Sequence, residues 1–245
     1  MKMISPLPTV LQVALLICWG CSTSFATTYT TLTDGAWLDS TNVWSTDGKT
    51  ACSCTPGEFF DGDSITINHT ITFSANFVLD GATLMTVNAG AGLSATIQGQ
   101  NAYDLTSNKA TINVNGTLSV GKYESNVESE MTISGGGVVA TTERVIIDGV
   151  LNIDNGVINM SDGNFTVGAG GTVKFTNGSK IGLDDGNLSN SGDITICPSC
   201  CLITKGSWKN FASGTINGSG SIVSTDGNIT NEGFWDVNIA WCSAG

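Results

Sequence analysis

Glycine residues punctuate the middle of the chain at nearly constant intervals, and this spacing constrains the fold more than any other feature. The successive positions are six to eight residues apart: Gly149, Gly156, Gly163, Gly171, Gly178, Gly186 and Gly192. Most of them follow Asn or Asp, and such dipeptides favour sharp turns because Asn and Asp tolerate positive φ and glycine has no Cβ to clash. Three steps add up to about 22 residues, a length typical of one solenoid coil.

The runs between these turns alternate apolar and polar residues, which is the period-two pattern of a β-strand. Examples are Ser64–Ile67, Thr111–Val114, Leu151–Ile153, Val157–Met160, Phe165–Val167 and Val173–Phe175. We find no long stretch with apolar residues at helical spacing. The sequence therefore predicts an all-β, single-domain chain: a three-sided, right-handed parallel β-helix of about 22 residues per coil, with room for roughly eight coils. The alternative is an antiparallel sandwich or barrel, because Asn-Gly and Asp-Gly also form hairpin turns.

The N-terminus has the features of a secretory signal peptide. Lys2 supplies a positive charge, an apolar run follows over Val10–Trp19, and small residues occupy Gly20–Ala26. This run is shorter than the ~20 residues of a membrane span, so we expect cleavage after Ala26 and a mature protein without a transmembrane segment. The alternative is a lipoprotein anchored through Cys21.

Aromatic residues are concentrated at the two ends of the mature chain. They are Tyr29, Trp37, Trp44, Phe59 and Phe60 at one end, and Trp208, Phe211, Phe234, Trp235 and Trp241 at the other. Terminal units of a solenoid must cover its apolar ends, so we interpret both clusters as caps. Sugar-stacking platforms are the alternative. The predicted boundaries are residues 1–26 for the signal peptide, 27–62 for the N-terminal cap, 63–196 for the coils, and 197–245 for the last coils and the C-terminal cap.

The chain is acidic, with a formal net charge of −12 at pH 7. Nucleic acids and anionic membrane surfaces attract basic patches, so the charge argues against both as partners. The carboxylates serve solubility in the simplest interpretation. Calcium binding by some of them is the alternative, and no other cofactor is predicted.

Six cysteines remain after the expected cleavage, and an even number in an exported protein suggests disulfides. The candidates are Cys52, Cys54, Cys197, Cys200, Cys201 and Cys242. Sequence alone cannot choose among the pairings. We expect pairing within each end of the chain, and different partners for the adjacent Cys200 and Cys201. A four-thiolate zinc site built from the four C-terminal cysteines is the alternative.

The sequence contains no recognisable catalytic motif. His69 is the single histidine, no Gly-x-Ser-x-Gly motif is present, and a surface or corner position is expected for this histidine. The adjacent acids Asp184 and Asp185 lie in a stretch that is typical of a corner. A polysaccharide lyase would need a strong base near a calcium cluster, and the candidates are the single arginine, Arg144, with Lys174 and Lys180 nearest to it in sequence. No catalytic, metal or cofactor-binding residue is therefore predicted, and enzymatic activity is not the favoured hypothesis.

Both ends of the mature chain resemble exported β-helix proteins of the Bacteroidetes type. The opening has a Trp-containing segment, Val43–Ser45, then Pro56-Gly57, then a glycine-aspartate step into an alternating strand at 62–67. The same order is similar to the eight-glycine module that precedes β-helices in some animal cell-surface proteins. The tail, with 218–222, 227–235 and Trp241-Cys242, is also similar to such exported proteins. The resemblance implies a secreted or cell-surface protein, with the bacterial outer surface as its location, and it brings no catalytic motif.

These observations favour an exported, non-enzymatic β-helix that acts as a surface, matrix or adhesion component. Its expected partners are extracellular polysaccharide or surface proteins. The alternative function is a carbohydrate-active enzyme, a polysaccharide lyase or hydrolase, or an accessory module of one. Carboxylates that line a groove with a lysine or arginine within reach would favour the enzyme, whereas smooth Thr, Ser and Asn faces would favour the binding protein.

Overall fold

The computed structural model describes residues 26–55, 62–98 and 101–237, and within these ranges it contains strands and no helix. In chain order the strands are β1 (Thr28–Thr31), β2 (Gly35–Ala36), β3 (Trp44–Ser45), β4 (Ser64–Ile67), β5 (Thr70–Phe73), β6 (Phe77–Asp80), β7 (Leu84–Val87), β8 (Gly92–Ala95), β9 (Ile97–Gln98), β10 (Asn101–Ala102), β11 (Leu105–Asn108), β12 (Thr111–Val114), β13 (Thr117–Ser125), β14 (Glu130–Ser134), β15 (Val138–Ile147), β16 (Val150–Asp154), β17 (Val157–Met160), β18 (Phe165–Val167), β19 (Thr172–Thr176), β20 (Lys180–Leu183), β21 (Leu188–Asn190), β22 (Asp193–Ile196), β23 (Cys201–Thr204), β24 (Trp208–Asn210), β25 (Thr215–Gly218), β26 (Ser221–Ser224), β27 (Ile229–Asn231) and β28 (Phe234–Val237).

The strands wind into a parallel β-helix with three faces. The first face contains β1, β4, β7, β12, β14, β16, β19, β22, β25 and β28. The second face contains β2, β5, β8, β17, β20, β23, β26 and the first halves of β13 and β15. The third face contains β6, β11, β18, β21, β24, β27 and the second halves of β13 and β15.

The number of coils and their length agree with the sequence pattern. The first complete coil is β4–β5–β6 and the eighth is β25–β26–β27, so the solenoid has about eight turns of about 21 residues. The antiparallel alternative is wrong, because among the described strands only the pairs β1–β3 and β9–β10 run antiparallel. The predicted parallel β-helix is confirmed.

Alternation along each strand builds the core. In β12 the side chains of Ile112 and Val114 are buried while Thr111 and Asn113 face outward. Register is kept between coils, so Ile112 lies beside Met131, and Met131 beside Leu151. The inward side chains therefore stack into one continuous apolar column per position. A single coil would have no neighbour to cover these side chains, so the stack folds as a unit.

The corners lie where the glycine spacing placed them. Asn155 and Asn177, at corners between the first and second faces, adopt φ of 53° and 54°, the left-handed values that Asn tolerates. Between the second and third faces, Gly163, Gly186, Gly206 and Gly227 form a column across four coils. A Cβ on any of them would overlap the backbone of the preceding coil. This corner therefore requires glycine for close backbone approach.

Asparagine side chains fill the corner between the third and first faces in the last coils. Asn190 and Asn210 are completely buried, although the sequence pattern assigned inward positions to apolar residues. Asn190 Nδ2 donates to Asn210 Oδ1 at 2.8 Å, and Asn210 Nδ2 donates to Asn231 Oδ1 at 2.8 Å. The same amides also donate to backbone carbonyls at the turn. We call Asn190, Asn210 and Asn231 the asparagine ladder.

Most of the described aromatic residues at the two ends pack inward. Trp44 and Trp37 are 0% and 4% exposed, their rings meet edge to face at 4.9 Å, and Trp44 Nε1 donates to the Trp37 carbonyl oxygen at 2.8 Å. At the other end Trp208 is 1% exposed and stacks on Trp235 with centroids 4.7 Å apart. Buried rings cannot stack on a sugar, so Trp37, Trp44 and Trp208 form caps, and the partly buried Trp235 packs against Trp208. Phe211 and Phe234 are exposed. Phe59, Phe60 and Trp241 lie outside the described residues.

The structure shows one disulfide near each end of the chain, which agrees with the expected pairing within each end. Cys52 bonds to Cys54 and Cys197 bonds to Cys200, with Cα–Cα distances of 5.1 and 5.0 Å. Cys201 is also disulfide-bonded, so it differs in partner from Cys200, while Cys242 lies outside the described residues. Each of the two described bonds closes a very short loop, so each restricts the unfolded chain less than a bond between distant coils would. They fix local turns and do not tie coils together.

One feature of the second coil was not predicted. Strands β9 and β10 form a small antiparallel hairpin between β8 and β11, and β10 lies against β13 and β15 of the next two coils. At Gly121 a Cβ would overlap the carbonyl oxygen of Ala102, so the hairpin packs tightly on this corner. The insertion thus leaves the three sheets unbroken.

The N-terminal cap contains an exposed turn whose stability should depend on pH. The Asp47 carboxylate accepts hydrogen bonds from the backbone N–H groups of Thr50 and Lys49, both at 2.8 Å, and from the Ser45 hydroxyl at 2.7 Å. These bonds lower the pKa of Asp47 to about 2, and the bond from the Thr50 N–H has the largest effect. Because the pKa of Asp47 is lower in the folded chain than in the unfolded chain, its carboxylate stabilises the folded state. This stabilisation is complete above the unfolded pKa of about 4 and is lost as pH falls through about 2.

A carboxyl NMR titration should therefore give Asp47 a midpoint near 2. Asp47→Asn should flatten the pH dependence of unfolding in the acid range. A midpoint at the ordinary value for aspartate would contradict the three hydrogen bonds.

Candidate functional site

The first face carries an unbroken row of polar side chains. The third residue of each strand faces outward, and parallel register places these residues in a line: Thr30, Thr66, Thr86, Asn113, Thr132, Asn152, Lys174, Thr195, Asn217 and Asp236. We call this line the polar row. Neighbouring strands are about 4.8 Å apart, so the row extends for about 43 Å. Eight of its ten side chains carry short hydroxyl or amide groups, the other two are Lys174 and Asp236, and the row can both donate and accept hydrogen bonds.

The second face contains a groove in its later coils. Gly182 faces outward between Asn159 of the preceding coil and Ile203 of the next coil, and its missing side chain creates a depression. The cavity volume is about 410 Å³, and Lys180, Asp184 and Lys205 also line it. We call this depression the Gly182 groove. Its floor is aliphatic and its walls carry charges of both signs.

A second cavity adjoins the groove at the corner between the second and third faces. Its volume is about 420 Å³, and it is lined by Asp184, Asp185 and Asp226, with Lys205 among them. Three carboxylates from two coils thus meet one ammonium group contributed by the coil between them. Asp184 and Lys205 line both cavities, so the two are adjacent.

The described lysines differ in their ion pairs. Lys122 pairs with Asp104 at 3.5 Å and Glu124 at 3.2 Å, Lys109 with Glu128 at 3.3 Å, and Lys209 with Glu232 at 2.9 Å. Neither Lys180 nor Lys205 has a carboxylate of the described residues within salt-bridge distance, although Asp184 lines the same groove. Their ammonium groups are therefore available to a ligand.

The structure separates the basic residues that the sequence singled out. Arg144 is exposed on the third face beside Lys122 of the preceding coil, and Lys174 belongs to the polar row on the first face. Only Lys180 reaches the groove. Lys205 and Asp226 were missed, because the sequence period does not say which corner residues of successive coils meet across a cavity.

The remaining candidates occupy corners. Asp184 and Asp185 follow β20 and are exposed, as the corner interpretation predicted. His69 lies between β4 and β5, is partly buried, and has Nδ1 3.1 Å from the Thr31 hydroxyl. No serine or cysteine nucleophile is hydrogen-bonded to this ring among the described residues.

Two further surveys cover only the described residues. No group of three or more His, Cys, Asp or Glu side chains in residues 26–55, 62–98 and 101–237 is placed to hold a metal ion. Over the same ranges, no helix has the length and apolar character needed to cross a membrane.

Comparisons with known proteins add no family. No family model matches the chain, and no curated protein matches it. Among solved structures, a TibC-catalysed hyper-glycosylated TibA fragment is 14% identical, with 89% of this chain and 94% of that chain covered, at a TM-score of 0.18. So low a TM-score supports no conclusion about this chain. The fold itself defines the class, a parallel β-solenoid protein.

Proposed function

We propose that the chain is an exported, non-enzymatic β-helix that acts as a surface, matrix or adhesion component and binds extracellular polysaccharide along its first face. The polar row supports this function, because ten successive strands present hydrogen-bonding groups without an apolar interruption. An extended polymer rich in hydroxyl groups could contact many coils at once. Surface proteins are the other class of partner.

The compartment belongs to the same proposal. The signal-like N-terminus lies outside the described residues, and the resemblance to exported β-helix proteins of the Bacteroidetes type points to the bacterial outer surface. Disulfides persist in oxidising, extracytoplasmic environments, which supports an exported chain. Calcium could assist binding, since 21 acidic residues give the chain many oxygen ligands.

The test is retention of the oxidised mature chain on a panel of insoluble glycans. Thr86, Thr132 and Thr195 of the polar row are replaced together by valine, which keeps shape and strand preference but removes the hydroxyl groups. We expect binding to weaken by about tenfold or more, because several hydrogen bonds are lost at once.

The matched control replaces three outward threonines of the other two faces, Thr72, Thr117 and Thr166, by valine. This triple variant should bind as the unmodified chain does. Equal losses in the two triple variants, or no retention on any glycan, would reject the first face as a glycan-binding surface.

A carbohydrate-active enzyme is the second candidate, and the cavity of Asp184, Asp185, Asp226 and Lys205 favours it. Glycoside hydrolases use a pair of carboxylates as acid and base or nucleophile, and this cavity brings carboxylates of different coils together. Incubation with acidic and neutral polysaccharides, with and without calcium, would be followed through new reducing ends and the ultraviolet absorbance of unsaturated sugars. Turnover that disappears in Asp184→Asn or Asp226→Asn would establish the enzyme, whereas absence of turnover on the whole panel would reject it.

A further inference from the structure

We infer that the Gly182 groove is a binding site for an anionic sugar residue, a pyranose that bears a carboxylate or a sulfate. This inference rests on the proposed function in taking the ligand to be a glycan. It adds a second site on a different face and a charge class that the polar row does not specify.

The shape of the groove follows from one missing side chain. Gly182 lies in register with Asn159 and Ile203, and a Cβ placed on Gly182 would come no closer than 3.9 Å to Asn159 Oδ1. The depression is therefore open space above the sheet. Its volume of about 410 Å³ lies within the range of small-molecule sites, so a sugar residue with parts of its neighbours can fit.

The charge of the groove selects an anion. Lys180 and Lys205 line it from adjacent coils together with the single carboxylate of Asp184, and neither lysine has a salt-bridge partner among the described residues. Of the seven lysines in the described residues, three have a salt bridge, and Lys180 and Lys205 belong to the other four. Each ammonium group offers three hydrogen-bond donors and no acceptor, which suits a carboxylate or sulfate oxygen.

The other lining groups distinguish a sugar from a simple anion. Asp184 can accept hydrogen bonds from hydroxyl groups but would repel an inorganic anion. Asn159 offers both donors and an acceptor, and Val157 and Ile203 supply aliphatic surface for the C–H face of a ring. A pyranose with one acidic substituent can use all of these groups together.

Titration calorimetry on the oxidised mature chain tests the site with three soluble probes of equal length: a uronate oligomer, a sulfated oligomer and a neutral glucose oligomer. We expect at least one acidic probe to bind more tightly than the neutral probe, and its affinity to fall as the salt concentration rises. The acidic probe that binds more tightly identifies the substituent.

The decisive variant replaces both Lys180 and Lys205 by alanine, and its control replaces Lys49, an exposed lysine of the N-terminal cap without an ion pair among the described residues. The double variant should lose about tenfold or more in affinity, and Lys49→Ala less than about twofold. Gly182→Leu, which fills the depression, should also abolish binding, and thermal melting checks that each variant is folded.

Equal losses in the control and the double variant would overturn the site, as would neutral binding as tight as acidic binding or no binding of any probe. The proposed function is tested separately, because retention on insoluble glycan is measured with valine variants of the polar row on the first face. Failure of the groove and failure of the proposed function are therefore distinguishable.

Discussion

Replacing Asn210 with alanine is expected to lower the free energy of unfolding by about 3 kcal/mol. Asn210 is completely buried, and its Nδ2 donates to Asn231 Oδ1 at 2.8 Å and to the carbonyl oxygens of Gly214 and Phe234, each at 3.1 Å. Its Oδ1 accepts from Asn190 at 2.8 Å. Alanine removes all of these bonds and takes the Asn210 acceptor away from the fully buried Asn190 amide, which costs more than the loss of exposed hydrogen bonds would.

The measurement is chemical denaturation followed by far-ultraviolet circular dichroism. Asn228→Ala is the matched control, because Asn228 belongs to the same coil as Asn231 but is exposed, and its substitution should change stability by less than about 0.5 kcal/mol. Similar midpoints for the two variants would show that the asparagine ladder contributes little. Hydrogen exchange should place the loss in the last coils, since each coil contacts only its neighbours.

Gly186→Ala is expected to cost at least about 3 kcal/mol or to prevent folding, because a close backbone contact leaves no room for one methyl group. The added Cβ would overlap the carbonyl oxygen of Gly163 in the preceding coil. That oxygen belongs to the backbone of the glycine column, so it cannot move aside as a flexible side chain could. Relief would require the two coils to separate locally and weaken the hydrogen bonds between them.

The same coil supplies the control. At Gly182 the nearest atom to an added Cβ is Asn159 Oδ1 at 3.9 Å, an ordinary contact distance. Gly182→Ala should therefore fold with nearly unchanged stability, and the urea midpoints of the two variants would separate steric overlap from a general cost of losing glycine. Equal destabilisation at both positions would contradict the role assigned to the glycine column.

The sequence predicted the class of fold because the corners and the strands each have their own sequence signal. Asn155-Gly156 and Asn177-Gly178 mark turns by their backbone preferences, and the alternation in β12 or β17 marks which side chains face inward. Both signals are local, and a solenoid repeats local structure. The hairpin β9–β10 was not predicted, because an insertion interrupts the coil period at one place and leaves it unchanged in the other coils. The buried amides of Asn190 and Asn210 were not predicted either, because the alternation pattern assigns every polar residue to the outside.

The candidate sites were predicted less completely. The polar row follows from alternation once the register between coils is known, but the register is a property of the assembled solenoid. The grouping of Asp184, Lys205 and Asp226 depends on corner loops of unequal length, and nothing in the sequence aligns one loop with the next. Lys180 was considered as a base for catalysis, and the structure places it without an ion pair beside a depression that a single glycine creates.

The corner between the second and third faces tolerates great variation in length. In the third coil β13 passes this corner without ending, with one register shift between Val120 and Lys122. In the fifth coil four residues, 161–164, separate β17 from β18, and in the second coil the corner contains the hairpin β9–β10. The sheets on either side keep parallel register in all three cases. New segments can therefore be grafted at this corner in the coils that precede the glycine column, and evolution or a protein engineer can diversify the ligand specificity of such a chain there without redesigning its scaffold.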